Sequence, residues 1–254
     1  MQILISEIKN WIYQASAIIK NEIKKNDLVI ATKASRTDLV TNVDKMIQDF
    51  LIERIHRFDP AAKILGEENG QDKLTDFSGR VFVIDPIDGT MNFVLEKENF
   101  CIMIAVIEDN EEKLGFIYDV MKDVLLWGGP EVGVFKDEER LDPPEDLSLE
   151  ESLIGMNSSI YRKNLYHLQD IVDRSMGVRM SGCAGVELIN LMTGKRNAYI
   201  SNLAPWDYAA GKVMLEKLGF KVTNIEGGPL KFSHRERVIA ATPATFSAIE
   251  DCIR

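Results

Sequence analysis

The segment Val81–Phe93, VFVIDPIDGTMNF, ends an apolar run in two aspartates, Asp85 and Asp88. The run reads as a buried strand, and Pro86 stiffens the turn that follows it, so both carboxylates leave one strand end close together. Like charges so near each other raise one another's pKa unless something neutralises them, and a hard divalent cation with oxygen ligands does so directly. Gly89 and Thr90 then open a short helical stretch whose first backbone N–H groups suit a phosphate. Taken alone, the DxxD spacing fits an Asx-type turn with solvated aspartates equally well.

Other acidic residues shift that balance. Glu67, in Gly66-Glu67-Glu68-Asn69, follows the strand-like KIL and stands where a ligand or a water-activating base would stand, although by itself it reads as an exposed loop residue. Asp207, in Pro205-Trp206-Asp207, falls at the start of a helix marked by Ala209, Ala210, Val213 and Met214, and alone reads as an N-cap. Asp44 reads as the capping-box partner of Thr41. No GxSxG, CxxxxxR or His-centred motif offers a covalent nucleophile, and His56, His167 and His234 read as surface or structural. A carboxylate set without imidazoles selects Mg²⁺ or Mn²⁺ over Zn²⁺.

The elements that must carry these residues are mixed. Ile5, Ile8, Trp11, Ile12, Ala15, Ile19 and Ile23 form the stripe of an amphipathic helix, and Thr41 opens a second helix that ends at Asp59-Pro60. KILG and RVFVID read as strands; CIMIAVIED, KLGFIYDV and VLLWGG read as an antiparallel meander. After the proline-rich, acidic LDPPEDLSLEE, strands and helices alternate, with helices expected over 165–175, 185–192 and 206–218. Two subdomains, 1–143 and 144–254, are expected, the first carrying most of the acidic set and the second carrying Asp207. No solenoid repeat or low-complexity tract is present.

Composition sets the outer limits. The 254 residues carry 40 acidic and 30 basic side chains, a formal net charge of −10, and no Lys/Arg cluster. A nucleic-acid polymer or an anionic membrane therefore has no electrostatic footprint. No apolar run approaches the roughly 20 residues of a membrane helix, and the N-terminus lacks signal-peptide flanks, so a cytoplasmic protein is expected. The three cysteines, Cys101, Cys183 and Cys252, have no CxxC spacing and read as reduced, mostly buried side chains.

Together GEEN, DPIDGT and PWDYAAG resemble the inositol monophosphatase family over nearly the whole chain. KASRTDLVTNVD (33–44) looks like that family's lid and helix start, and GCAG (182–185) looks like its substrate loop. The resemblance implies an α+β fold, a layered α-β-α-β-α sandwich of the inositol monophosphatase and fructose-1,6-bisphosphatase type. It implies a homodimer and lithium-sensitive hydrolysis of small phosphate monoesters with Mg²⁺, for which Mn²⁺ can substitute. Carried over by position, Glu67, Asp85, the Ile87 carbonyl, Asp88 and Asp207 would hold the metals, with Asp85 bridging two ions. Glu67 and Thr90 would position and deprotonate water, with Asp44 accepting from the Thr90 hydroxyl. Gly89 and Thr90 amides would grip phosphate, and Lys33 and Asp38 would belong to the lid. Metal ions roughly 4 Å apart can activate water without a covalent intermediate.

The chain departs from the family pattern in the substrate region. Inositol-hydrolysing members carry an acidic residue just after the strand before the WD element, whereas Ala198–Asn202 is neutral, leaving Ser201 and Asn202 to meet the leaving group. Cys183 replaces a more usual Ser or Thr, which leaves Gly182, Cys183 and Ala184 to act through their backbone. A 3′-phosphoadenosine 5′-phosphate or NADP phosphatase and a fructose-1,6-bisphosphatase are therefore alternatives, and a non-catalytic, metal-binding regulatory protein is the reading from another class.

Overall fold

The computed structural model describes residues 1–25, 28–32 and 39–253. Helix α1 (Gln2–Lys25) buries Ile5, Ile8, Trp11, Ile12, Ala15 and Ile19, the stripe its spacing dictates. Helix α2 (Asn42–Phe58) is set by a capping box: the Thr41 hydroxyl accepts from the Val43 and Asp44 amides, and Asp44 Oδ2 accepts from the Thr41 amide at 2.9 Å. Before it, β1 (Ile30–Thr32) and β2 (Leu39–Thr41) pair antiparallel. The expected lid residues Lys33 and Asp38 lie outside the described residues.

A seven-stranded sheet follows in sequence order: β3 (Lys63–Gly66), β4 (Arg80–Asp88), β5 (Cys101–Glu108), β6 (Glu111–Asp119), β7 (Val124–Gly129), β8 (Gly133–Lys136) and β9 (Glu139–Arg140). Only the first pair is parallel; the rest is a meander. Helix α3 (Thr90–Leu95) interrupts it after β4. Period-two alternation divides the strands between two cores. Phe82, Ile84, Ile102, Ile104 and Phe116 face α1 and α2, while Val81, Val83, Met103, Ala105 and Ile117 face the other way.

The rest of the chain runs β10 (Leu153–Met156), α4 (Ser158–Arg162), α5 (Leu168–Arg174), β11 (Gly177–Arg179), α6 (Ala184–Met192), β12 (Ala198–Leu203), α7 (Pro205–Lys217), β13 (Lys221–Asn224), β14 (Glu236–Ala241) and α8 (Pro243–Ile253). Its five strands are ordered β11-β10-β12-β14-β13. Helices α6 and α7 fill the space between the two sheets, and α4, α5 and α8 cover the outer face of the smaller one through Ile160, Leu168, Ile171, Phe246 and Ile249. The result is the layered α-β-α-β-α arrangement. Helix α7 lies almost directly on β6: a Cβ at Gly115 would come within 2.0 Å of the Ala210 carbonyl oxygen. Among the described residues, no helix is long and apolar enough to cross a membrane.

Three local readings need correction, and one helix was not foreseen. Strand β4 does not stop before the proline turn but continues to Asp88 through a bulge. Asp207 is not the N-cap of α7; Ala204 is, with Pro205 first in the helix and Asp207 reaching back to the Ala204 amide at 2.8 Å. The helix expected from residue 165 begins at Leu168, after a 3₁₀ turn in which Tyr166 and His167 are left-handed. Helix α4 was not anticipated, although Asn157 caps it by accepting from the Ser159 amide.

Candidate active site

The site begins at the β4 bulge. Asp85 pairs with Met103 and Asp88 with Cys101, so β4 carries one more residue than β5 between those pairs. Pro86, which has no N–H to give, is tolerated at such an interruption. Asp85 Oδ1 accepts the Ile87 amide at 3.0 Å, an Asx-type bond, yet neither aspartate is solvated: Asp85 is 1% and Asp88 8% exposed. Gly89 turns the chain into α3 with φ 87°, and a Cβ there would meet Cys183 Cβ at 3.0 Å. Thr90 Oγ1 lies 3.0 Å from Asp44 Oδ1 and 3.1 Å from the Ile87 carbonyl. Its one proton serves one of these acceptors at a time, and the hydroxyl oxygen keeps lone pairs that can accept from a third group.

Glu67, Asp85, Ile87, Asp88, Gly89, Thr90, Gly182 and Asp207 line one cleft of about 180 Å³. A second hollow of about 270 Å³ shares Asp88, Gly182 and Asp207 with it and adds Cys183, Ala184, Ser201 and Asn202. Asp44 is buried, does not line the first cleft, and accepts a hydrogen bond from Thr90, which does. Ser201 is buried and Asn202 exposed on β12. The second hollow is also lined by Asn157, Ser158, Glu187, Tyr199 and Arg235, none of which sequence reasoning had placed there. Asn92 was missed as well; its amide donates to the Asn99 and Ser181 carbonyls, at 2.9 and 2.8 Å, and so ties α3 to the 181–183 loop. Of these, only Asn157 had a local signal, the cap ahead of Ser158-Ser159.

Cys183 does more than offer its backbone. Its thiol donates to Asp88 Oδ2 at 3.0 Å, while the Ala184 amide donates to Oδ1 at 3.3 Å and the Gly185 amide also bonds Oδ2. Asp88 is thus cradled by the start of α6, where the helix dipole favours an anion.

The cleft is electrostatically uncomfortable without a cation. Burial pushes the Asp85 carboxyl well above the usual carboxylate range, and Glu67, Asp88, Asp207 and Asp44 push it further. Asp88 is also raised by burial, with its thiol and amide donors opposing. Burial lifts Asp207 to about 7 against the pull of Arg235, whose Nη1 lies 3.0 Å from Asp207 Oδ2. Burial raises Asp44, and its bonds from Thr41 and Thr90 counter this.

These residue types suit a hard divalent ion: four carboxylate side chains and Ile87, whose carbonyl lies 3.1 Å from Thr90 Oγ1, line this cleft, with no histidine or cysteine among its described lining residues. Among the described residues, no three such side chains already converge on a common point tightly enough to cage an ion. Glu67, Asp85 and Asp207 would have to draw together around one, and Asp88 would share lone pairs it already offers to α6.

The model of the inositol monophosphatase family matches residues 2–253. The chain belongs to the inositol monophosphatase family. An inositol-1-monophosphatase of Bacillus subtilis (strain 168) is 41% identical over 251 residues, covering 96% of this chain and 94% of the relative. A solved IMPase/NADP phosphatase complexed with Mg²⁺ and phosphate superposes with a TM-score of 0.91 at 29% identity, covering 99% of this chain and 95% of that one. A staphylococcal inositol monophosphatase-1, solved as a LiCl-soaked inhibitory complex, also gives a TM-score of 0.91 at 29% identity, covering 99% and 94%. Family membership makes the chain a phosphoric monoester hydrolase with the family's layered fold.

Proposed function

We propose that this cleft hydrolyses a small phosphate monoester with Mg²⁺, by direct attack of water on phosphorus. The observation that carries this reading is the group of buried, mutually repelling carboxylates, Asp85 above all, set beside the Thr90–Asp44 pair. Glu67, Asp85, the Ile87 carbonyl, Asp88 and Asp207 hold the metal, and Mn²⁺ substitutes. The chemistry supplied by the ion is charge, which lowers the pKa of a water molecule and steadies the departing oxygen.

The chain's own groups do the rest. Asp44 keeps the Thr90 proton turned inward, so Thr90 Oγ1 accepts from the attacking water and aims it, while Glu67 takes the proton that water loses. The amides of Gly89 and Thr90, at a helix start where N–H groups lack intrahelical partners, hold the phosphate. Gly182, Cys183, Ala184, Ser201 and Asn202 flank the leaving group. Lys33 and Asp38 serve as the lid. A similar protein solved in complex with Mg²⁺ and phosphate supports these two as ligands of the site.

Subdomains 1–143 and 144–254 are part of the same reading, supported by the confinement of each sheet to one side of that boundary. So are a homodimer, a cytoplasmic setting and partners limited to small phosphorylated molecules, which the net charge of −10 favours over nucleic acid or anionic membrane.

The test is a phosphate-release screen over inositol 1-phosphate, NADP, 3′-phosphoadenosine 5′-phosphate and fructose 1,6-bisphosphate, with Mg²⁺ or with EDTA. Hydrolysis of at least one substrate, abolished by EDTA, is expected. No release from any of them, or full release in EDTA, overturns the proposal.

A further inference from the structure

We propose that Gln48, on α2, is the residue that positions Glu67: its side-chain amide clamps the main chain of Glu68 and so fixes where the Glu67 carboxylate stands in the reaction cleft. This rests on the phosphatase reading above and deepens it by adding a positioning residue to the groups that handle water.

The clamp has two arms. Gln48 Oε1 accepts from the Glu68 amide at 2.8 Å, and Gln48 Nε2 donates to the Glu68 carbonyl. A primary amide carries an acceptor and a donor side by side, so it pairs with one residue's N–H and C=O as a neighbouring strand would. Both partners are sealed from water, Gln48 at 0% and Glu68 at 4% exposed. Buried main-chain groups are costly to leave unpaired, which binds the loop to the glutamine.

Position 48 would otherwise belong to the core. The buried face of α2 is Val43, Asp44, Ile47, Gln48, Leu51 and Ile55, a register at which leucine or isoleucine would add apolar burial. The other polar residues on that face are accounted for by Asp44, one turn earlier, which serves Thr90. Helix α2 thus turns two polar side chains inward, one toward Thr90 and one toward the loop of Glu67. Gly66 fits the same purpose. Its φ is not positive, so conformation does not call for glycine, but a Cβ there would come within 2.8 Å of Gln48 Oε1 and 3.1 Å of Gln48 Cδ. The missing side chain leaves room for the amide.

Glu67, which lines the reaction cleft, is therefore held from both sides. Its own amide donates to the Ile84 carbonyl at 3.3 Å, extending the parallel β3–β4 pairing by one bond, and Ile84 immediately precedes Asp85. The next residue, Glu68, is tied to α2. The carboxylate is referenced in this way to the strand that carries Asp85 and Asp88 and to the helix that carries Asp44. Beyond Glu68 the loop turns through Asn69 and Gly70, with φ 55° and 73°. The Asn69 side-chain bonds back to α2, to Asp49 Oδ1 at 2.6 Å and to the Lys45 carbonyl at 3.5 Å, are exposed, where water replaces them at small cost. Gln48 is the buried tie, and a base misplaced by about 1 Å can lose about 100-fold in rate.

The experiment is a double-mutant cycle over wild type, Gln48→Leu, Glu67→Gln and the two combined. It is read in kcat and KM on the fastest ester of the phosphate-release screen, in Tm, and in Mg²⁺ affinity by calorimetry on metal-stripped protein. Gln48→Leu is expected to lower kcat by about tenfold or more while KM changes by less than about threefold. In the Glu67→Gln background the same substitution is expected to change kcat by less than about threefold, because the group it positions is already gone. Mg²⁺ affinity is expected to follow the same pattern, falling about tenfold with Glu67 present and staying nearly constant without it. A glutamine that only completes the packing would lower Tm alike in both backgrounds and give equal factors in kcat.

Gly66→Ala, which crowds the amide, and Gln48→Glu, whose carboxylate accepts from the Glu68 amide but has no donor for its carbonyl, are expected to fall between wild type and Gln48→Leu. They carry the test if the leucine variant folds poorly. Equal factors in the two backgrounds, in kcat or in Mg²⁺ affinity, or wild-type kcat in all three Gln48 and Gly66 variants, overturn the proposal. A wild type that releases phosphate from no ester removes the phosphatase reading, and the Mg²⁺ cycle then decides the role of Gln48 by itself, as it does if Glu67→Gln turnover falls below detection. A wild type that also binds no Mg²⁺ overturns both.

Discussion

Replacing Thr90 with alanine separates water positioning from phosphate binding. Thr90 Oγ1 stands 3.0 Å from Asp44 Oδ1, and Asp44 is fully buried behind it. Removing the hydroxyl deletes an acceptor for the attacking water but leaves the Gly89 and Thr90 amides in place. An interaction made mainly in the transition state lowers kcat and leaves KM nearly alone. Proton-transfer and positioning groups typically contribute 10²–10⁴-fold, so kcat is expected to fall by about 100-fold or more, roughly 2.7 kcal/mol of barrier. The same change leaves Asp44 Oδ1 buried without that donor, at a cost of about 1–3 kcal/mol in stability. For a chain of this size each kcal/mol lowers Tm by about 2–4 °C. Thr90→Ser keeps the hydroxyl and is expected to recover most of both losses. Initial rates of phosphate release with Mg²⁺, alongside thermal melts of the three proteins, measure all of this. A raised KM with kcat preserved, or a serine variant no better than alanine, would refute the positioning role.

Three further outcomes follow from the same geometry. Asp207 is raised from 3.8 to about 7, so in chelated protein the folded state binds its proton more tightly than the unfolded chain does, and stability falls as pH rises between those values. Melts in EDTA are expected to give a higher Tm near pH 6 than near pH 8, with a smaller difference in Asp207→Asn; the opposite slope in the wild type contradicts the assignment. Lithium, which can occupy a carboxylate site without supplying divalent charge, is expected to inhibit turnover in LiCl relative to equal KCl, and identical rates in the two salts count against it. Gly115→Ala forces a methyl against the Ala210 carbonyl, which as backbone cannot step aside, and is expected to cost about 1–3 kcal/mol or more; an unchanged Tm contradicts the close packing of α7 on β6.

Much of this molecule is written in local pattern. The stripe on α1, the capping box at Thr41 and Asp44, and the alternating strands of the meander each follow from periodicity over a few residues, and the layers follow from which faces are apolar. The acidic residues could be named because GEEN, DPIDGT and PWD are short and distinctive. What was hidden depends on contacts distant in sequence. A bulge at Asp85–Asp88 is a property of the β4 and β5 pairing, and the turn reading of Pro86 could not include a partner strand. Cys183 looked like a lost hydroxyl because its acceptor, Asp88, is far away along the chain. Arg235 lies in a polar loop segment with no motif and enters the pocket only because β12 and β14 are neighbours. The N-cap reading of Asp207 failed for a local reason: Pro205 favours the first helical position, which shifts the aspartate to the third.

The most direct measurement is phosphate release by metal-stripped wild type and Asp85→Asn as Mg²⁺ is added back, with the winning substrate of the screen and with folding checked by circular dichroism. The buried Asp85 carboxylate gathers like charge from Glu67, Asp88 and Asp207 that a divalent ion must balance, and an amide keeps its shape while losing its charge. The expected result is no release before metal, saturable recovery in the wild type, and a folded Asp85→Asn protein that stays below about one per cent of wild-type rate at every Mg²⁺ concentration. Full turnover without metal, or an Asp85→Asn enzyme that Mg²⁺ restores to the wild-type rate, would contradict metal-dependent hydrolysis at this cleft.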